Sequence, residues 1–155
     1  MQIVKIVAGL LLALALVVLV VAPIGPLPGV FIGGTPTPAP ATWQDTSGID
    51  EIRLKAPGAI PRVVIIWVID VAGELYVVGM KESGWVRRIG DGAPVELRIR
   101  ENTYVVEAVP VTEGAAPIYE AYLAKYAPNY PDLVAQLPPI ETAADVAVMY
   151  RLDRG

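Results

Sequence analysis

The sequence predicts a mainly β protein in which a single N-terminal transmembrane helix precedes a small six-stranded antiparallel β-barrel with one or two peripheral helices. Three observations lead to this fold class. Residues 3–22 form an apolar run that only Lys5 interrupts. Residues 23–42 are rich in proline and glycine. Beyond residue 50, short segments either alternate polar and apolar residues or are dense in β-branched ones, as strands are.

The apolar run predicts a membrane anchor over residues 1–22. Twenty residues at helical rise span about 30 Å, the thickness of a bilayer's hydrocarbon core. A cleaved secretory signal peptide is the alternative, and the length of the run and Pro23 after Ala22 favour an uncleaved anchor. The first basic residue after the run is Arg53. The positive-inside rule therefore predicts a single-pass protein of the cytoplasmic (inner) membrane, with its N-terminus inside and its domain on the periplasmic side.

Composition limits the function of the remaining chain. Residues 23–42 predict a semi-rigid linker of polyproline II type, and residues 43–155 are enough for one domain with a single core. The chain contains no cysteine and no histidine. Disulfides, thiol nucleophiles, the commonest general base and most zinc sites are therefore excluded. The net charge of −4 argues against nucleic acid as a partner.

Hydrophobic periodicity places the strands in the domain. The six predicted strands lie at residues 51–55, 63–71, 74–80, 95–100, 103–111 and 146–152. Ala72-Gly73 predicts a tight turn that makes the second and third strands a hairpin, with Asp70 as its cap. The fourth and fifth strands form a second hairpin, in which Asn102 is suited to a positive φ.

One helix is predicted between the fifth and sixth strands. Pro117 fits a first helical turn, and Pro128 ends the helix. Its spacing of i, i+3, i+4 and i+7 gives one aromatic face made of Tyr119, Tyr122, Leu123 and Tyr126. A shorter helical turn is predicted at residues 132–137. Six antiparallel strands with these helices favour a barrel, because closure removes exposed sheet edges.

The segment 67–126 resembles the split β-barrel of the flavin- and deazaflavin-binding superfamily. That superfamily includes the pyridoxamine-phosphate oxidases and the deazaflavin-dependent nitroreductase/quinone reductase family. The residues that carry the resemblance are ELYVV (74–78), GWVRRI (84–89), APVEL (93–97), YVVEAVPV (104–111) and AYLAKY (121–126). The resemblance implies that the barrel is a split β-barrel.

The resemblance also implies a cofactor site for FMN or a deazaflavin, at a turn and short helix that hold the cofactor's phosphate. The matching positions are Lys81, Ser83, Trp85, Arg87 and Arg88. Arginine forks and hydroxyl groups suit phosphate. The sequence departs from the family pattern, since Arg88 and Ala93 stand where asparagine is common and Glu82 repels a phosphate. A domain without any cofactor is therefore an equal expectation.

Two functions follow from these observations. The first is a non-catalytic accessory or docking subunit of a membrane protein complex, because no residue qualifies as a nucleophile and no metal-ligand set is present. The alternative is a membrane-tethered flavin- or deazaflavin-dependent oxidoreductase of the quinone- or nitroreductase type. The expected partners are the lipid bilayer, other membrane protein subunits and a second copy of the chain, since split barrels often build the cofactor cleft between two subunits.

Overall fold

A computed structural model describes residues 2–25, 27–43 and 46–155, except the side chains of residues 2, 3 and 19. The helices are α1 (Gln2–Val21), α2 (Gly84–Ile89), α3 (Ala115–Tyr126), α4 (Pro131–Val134) and α5 (Ile140–Val146). The strands are β1 (Thr35–Pro36), β2 (Glu51–Ala56), β3 (Arg62–Trp67), β4 (Ile69–Val71), β5 (Glu74–Met80), β6 (Ala93–Ile99), β7 (Asn102–Pro110) and β8 (Ala147–Asp153).

The strands form one curled sheet. Their order is β3-β2-β6-β7-β8-β5-β4, every neighbouring pair along it is antiparallel, and β1 adds a parallel pairing to β7. The two ends of this order, β3 and β4, are consecutive in the chain and only Val68 separates them. The sheet must therefore curl until its ends approach each other, and the result is a mainly β half-barrel.

The break at Val68 divides the segment that the sequence predicts as one strand. Residues 62–67 pair with β2, and only residues 69–71 form the predicted hairpin with β5. The backbone groups at the break are satisfied from α3. The Tyr126 hydroxyl accepts from the Val68 amide at 2.9 Å and lies 2.6 Å from the Val68 carbonyl, and Lys125 Nζ donates to the same carbonyl at 2.9 Å.

The hairpin turns follow the sequence prediction in place but not in every detail. Asp70 Oδ1 accepts from the Gly73 amide at 2.9 Å, so the predicted turn cap is confirmed. The β6–β7 hairpin also forms as predicted. Its positive φ of 53° falls on Arg100 rather than on Asn102. Asn102 is already paired with Ile99 in the ladder, and the left-handed residue lies two positions earlier, in the two-residue loop 100–101.

The main core fills the inside of the curl. Alternate residues of β2, β5, β6 and β8 point into it, and Leu54, Leu75, Leu97 and Leu152 are completely buried. Trp85 and Ile89 of α2 close one end of this core. A second cluster lies under α3, where Tyr122 and Tyr126 pack against β4.

The predicted membrane anchor is corrected by the structure. Among the described residues, no helix is long and apolar enough to cross a membrane. The prediction of a transmembrane helix, and with it the predicted location as a single-pass inner-membrane protein with a periplasmic domain, is therefore wrong.

The element count in the predicted fold class is also wrong. The described residues contain eight strands instead of six, because the run at 62–71 is split and β1 forms. They contain more helices around the sheet than the one or two predicted. The helical turn predicted at 132–137 overlaps α4, which starts at Pro131. The helix α5 was not predicted, because a helix of seven residues directly after Pro139 leaves almost no periodicity to detect.

The proline-rich segment lies against the sheet. We refer to residues 22–25 and 27–43 as the N-terminal arm. The Gly29 and Val63 backbones exchange two hydrogen bonds of 2.9 and 2.8 Å along the outer edge of β3. Thr103 Oγ1 donates to the Gly33 carbonyl at 2.6 Å, and Ile32 is buried. The arm is therefore held at several points along the half-barrel.

Candidate functional site

The turn after β5 positions the start of α2. Ser83 precedes the helix with an extended backbone, and its amide donates to the Met80 carbonyl at 2.9 Å. The Ser83 hydroxyl makes no capping hydrogen bond. Residues of β5 and α2 thus place a hydroxyl group at the surface of the half-barrel without using it for local structure.

Trp85 anchors this turn in the core. Its side chain is only 6% exposed, and its ring lies 6.1 Å from the Tyr150 ring. Gly79 makes room for it, because a Cβ at that position would lie 2.6 Å from Trp85 Cη2. The buried indole fixes the position of Ser83 and Gly84 relative to the sheet.

The basic residues of the predicted cofactor turn are spread over three places. Arg87 forms an exposed ion pair with Glu82. Arg88 Nη1 donates to the carbonyls of Pro57 and Ile60, at 3.2 and 2.7 Å, and so fastens the loop between β2 and β3. Lys81 lies at a different cavity, described below. The structure brings Ser83 and Trp85 to one pocket and leaves the three cations outside it.

The α2 pocket is a cavity of about 250 Å³ between β3 and the start of α2. Arg62 and residues 64–66 form its β3 side, and residues 83–85 form its α2 side. Gly25, Leu27 and Pro28 of the N-terminal arm line it as well. The pocket therefore combines apolar walls with one guanidinium and one hydroxyl group.

Arg62 is the functional candidate that sequence reasoning missed. Its Nε is buried and has no hydrogen-bond partner among the described residues. A Cβ at Gly84 would lie 3.1 Å from Arg62 Cζ and 3.2 Å from Nε, so the glycine lets the guanidinium approach the helix start. The available signal was a cation at the head of an otherwise apolar, β-branched strand, directly after Pro61.

Two other buried nitrogens lack a partner among the described residues. Arg151 Nε belongs to a guanidinium whose Nη2 already binds Asp153 at 2.7 Å. Trp43 lines a separate cavity of about 390 Å³, but its Nε1 is a neutral donor, and the residue adjoins positions 44 and 45, which lie outside the described residues. Arg62 is the case in which a buried guanidinium nitrogen adjoins a cavity with a second unused polar group.

A larger cavity of about 550 Å³ lies between α3, α5 and the strands β5 and β8. We refer to it as the α3–α5 cavity. Its walls are almost entirely apolar, and Lys81, Asp91 and Thr112 are exposed polar residues among those that line it. It shares no lining residue with the α2 pocket. The two cavities are therefore separate sites.

The predicted aromatic face of α3 packs between the α3–α5 cavity and the break at Val68. Tyr119 lines the cavity, and its ring centroid lies 6.3 Å from that of Tyr122. The Tyr122 and Tyr126 centroids are 5.0 Å apart, and the Tyr126 ring stacks on Trp67 at 4.1 Å. Burial raises the pKa of Tyr122 and of Tyr126 above the ordinary value of 10.0. Burial also lowers the pKa of Lys125 beneath them, although Asp50 and Asp70 partly oppose this shift.

Comparison with known proteins gives a distant structural likeness. No protein-family model matches the chain, and no curated protein matches its sequence. A protein of unknown function from Agrobacterium tumefaciens aligns at 14% identity and a TM-score of 0.49, over 77% of this chain and 58% of that one. A FAD- and haem-binding protein from Mycobacterium smegmatis aligns at 16% identity and a TM-score of 0.49, over 70% of this chain and 62% of that one.

A NimC/NimA family protein from Clostridium acetobutylicum aligns at 13% identity and a TM-score of 0.46, over 66% of this chain and 73% of that one. The chain thus spans less than two thirds of the first two structures. At this distance the likeness is too loose to transfer a cofactor or an activity. Membership of the flavin- and deazaflavin-binding superfamily, and the cofactor role of Lys81, Ser83, Trp85, Arg87 and Arg88, stay predictions.

Proposed function

We propose that the domain binds a phosphorylated flavin-type cofactor, FMN or a deazaflavin, in the α2 pocket and acts as an oxidoreductase. The observation that carries the proposal is the buried Nε of Arg62, which has no partner among the described residues and adjoins a cavity. A buried donor without an acceptor costs about 1–3 kcal/mol. An anionic oxygen in the pocket would remove that cost through a charge-assisted hydrogen bond.

The residues around Arg62 fit a phosphate better than another charged group. The Ser83 hydroxyl has no capping bond to give up, and Gly84 leaves the approach to Arg62 open. Glu82, directly before Ser83, carries a negative charge that opposes a phosphate, and its ion pair with Arg87 offsets that charge. Arg62 and Ser83 thus supply a fork and a hydroxyl group to one anion.

The apolar residues of the pocket suit the ring rather than the phosphate. Residues 64–66 of β3 offer β-branched walls next to Arg62. At about 250 Å³ the pocket is smaller than the usual range for a whole cofactor. We therefore propose that a second copy of the chain completes the site. A bound flavin supplies the redox chemistry, so the lack of histidine and cysteine is no obstacle.

The test is a titration of the full-length chain with FMN and with riboflavin, followed by flavin fluorescence. We expect FMN to bind more tightly, because only FMN carries the phosphate. Replacement Arg62→Ala should weaken FMN binding about 10- to 100-fold, the loss of one charge-assisted bond, and leave riboflavin binding unchanged. Arg53→Ala is the matched control, since Arg53 lies on the neighbouring strand and does not line the pocket.

Two outcomes would contradict the proposed cofactor site. Equal affinities for FMN and riboflavin would show that no phosphate is recognised. An unchanged affinity for FMN in the Arg62→Ala protein would show that the phosphate is held elsewhere, and the same titration of Lys81→Gln and Arg88→Gln would then locate it among the other predicted residues.

A second candidate is a non-catalytic docking module that keeps the half-barrel and binds no cofactor. The supporting observation is that the N-terminal arm already lines the α2 pocket, while Arg87 and Arg88 are bonded within the chain. Isolation of the tagged chain from its native cells separates the two candidates. A flavin-like absorption spectrum supports the oxidoreductase, and a colourless chain that co-isolates with another protein supports the docking module.

A further inference from the structure

The α3–α5 cavity is walled by small residues where large ones would close it. The alanines that line it come from both helices and from the start of β8, at positions 115, 116, 143, 144 and 147. Because each alanine ends at Cβ, the helices pack against the sheet and still leave about 550 Å³ between them. That volume lies within the range of small-molecule sites, and apolar walls are their usual lining.

The hydroxyl of Tyr119, a buried residue that lines the cavity, is bonded elsewhere. Tyr119 is 2% exposed and lines the cavity, but its hydroxyl donates to the Pro138 carbonyl at 2.8 Å. The cavity therefore meets an aromatic ring whose polar atom is already bonded. Met149, 8% exposed, adds a flexible thioether that adapts to irregular apolar shapes. The body of an occupant must accordingly be apolar.

Charged residues are found only among the exposed lining residues. The Lys81 backbone amide donates to the Val146 carbonyl at 2.9 Å, so its side chain starts where β5 meets the end of α5. Its ammonium has no partner among the described residues. The four-carbon stem of a lysine can lie along apolar surface and place its charge over the opening. Asp91 is shorter and also exposed, and it opposes a doubly charged head group.

We propose that the α3–α5 cavity binds a monocarboxylate with an apolar chain, with the chain between the two helices and the carboxylate at Lys81. This site is distinct from the α2 pocket and does not depend on a flavin. The single ammonium of Lys81 can neutralise one carboxylate, whereas a phosphate dianion would keep an uncompensated negative charge near Asp91. Contact with alanine, valine and methionine side chains supplies the affinity, and Lys81 sets the orientation.

The test uses the full-length chain and sodium laurate below its micellar concentration, measured by isothermal titration calorimetry. Replacement Ala115→Leu places a larger side chain in the cavity from α3 and should weaken laurate binding at least ten-fold. Ala124→Leu is the matched control, because it makes the same change on the exposed side of the same helix and does not line the cavity. Ala144→Leu repeats the test from α5 if Ala115→Leu does not fold.

The head group is tested with a second pair of variants. Lys81→Gln should weaken laurate binding several-fold and leave dodecanol binding unchanged, and Lys5→Gln, an exposed lysine of α1, should alter neither. Laurate binding that survives Ala115→Leu and Ala144→Leu would place the ligand elsewhere, for example on the exposed apolar side chains of α1, and would overturn the proposal. Dodecylamine binding more tightly than laurate would overturn the assignment of the carboxylate to Lys81.

Discussion

The α2 pocket holds a buried guanidinium nitrogen within about 250 Å³, whereas the α3–α5 cavity encloses about 550 Å³ and keeps its charged residues exposed. Strand β3 and the turn before α2 build the first, and two helices spaced by alanines build the second. One half-barrel thus builds two chemically different pockets, one with a buried guanidinium nitrogen and the other with mostly apolar walls. Each site can be altered without the other.

The largest effect is expected where the α2 pocket is fixed to the core. Replacement Gly79→Ala would place a Cβ 2.6 Å from Trp85 Cη2 and 2.5 Å from Val86 Cγ2. Such overpacking costs about 1–3 kcal/mol or more, because Trp85 cannot move without moving α2. Urea unfolding should show this loss, and FMN binding should weaken more than laurate binding. Gly48→Ala, which meets nothing within 4 Å, is the control; equal stability of the two variants would contradict the packing.

The replacement that tests the helix α3 in the same way is Tyr126→Phe. The hydroxyl of Tyr126 bonds both backbone groups of Val68 and thereby ties α3 to the break between β3 and β4. We expect a loss of about 1 kcal/mol in the free energy of unfolding, with weaker laurate binding and unchanged FMN binding. Tyr104→Phe, whose hydroxyl has no partner among the described residues, should be neutral. A change in FMN affinity without a change in laurate affinity would contradict the assignment of Tyr126 to the side of the molecule that holds the α3–α5 cavity.

A smaller effect is expected at the N-terminal arm, which contributes residues to the α2 pocket and none to the α3–α5 cavity. In Gly29→Ala a Cβ would lie 2.6 Å from the Ala22 carbonyl carbon and 2.5 Å from the Pro23 nitrogen, so the arm must shift from its bonds to Val63. We expect FMN to bind a few-fold more tightly, because the shifted arm leaves the pocket open in a larger fraction of molecules. Weaker FMN binding would contradict this covering role and would show that the arm forms a wall of the site. Gly9→Ala, with nothing within 4 Å, is the control.

The smallest effect at neutral pH concerns the tyrosines next to the α3–α5 cavity. Burial raises the pKa of Tyr122 and of Tyr126, so the folded protein keeps protons that the unfolded chain loses above about pH 10. Their contribution to stability is complete below that pH and is lost as the pH rises through it. Urea unfolding between pH 8 and about pH 11 should show the decline, and Tyr122→Phe should flatten it.

The parent chain has to be compared with Tyr122→Phe because the pKa of Lys125, in the same helix, is shifted in the opposite direction. Burial lowers the pKa of Lys125, so its own contribution raises stability as the pH approaches the ordinary value of 10.5. The difference between the parent chain and Tyr122→Phe isolates the tyrosine. A decline of equal slope in both proteins would contradict the link between burial of Tyr122 and alkaline unfolding.

Features that depend on neighbouring residues could be predicted from the sequence alone. Alternation at 51–55 and 95–100, the turn at Ala72-Gly73 and the tyrosine spacing on α3 each place an element, because pleat, turn and helical periods act over a few residues. Ser83 and Trp85 were singled out by the resemblance to split β-barrels, which short sequence motifs carry, and the structure brings both to the α2 pocket. The same motifs did not determine what the two residues do in that pocket.

Features that depend on residues far apart in the chain follow from the three-dimensional fold and could not be predicted from local sequence. The strand break at Val68 exists because the sheet curls and α3 can bond the freed backbone groups. Arg62 becomes a candidate ligand only when β3 lies beside Gly84, and the proline-rich arm finds hydrogen bonds along β3 and β7 instead of standing free. The apolar length of residues 3–22 predicted a membrane span that the described helix does not provide. Sequence periodicity reports apolarity along the chain, whereas burial and hydrogen bonding depend on which groups far apart in the sequence lie next to each other in the fold.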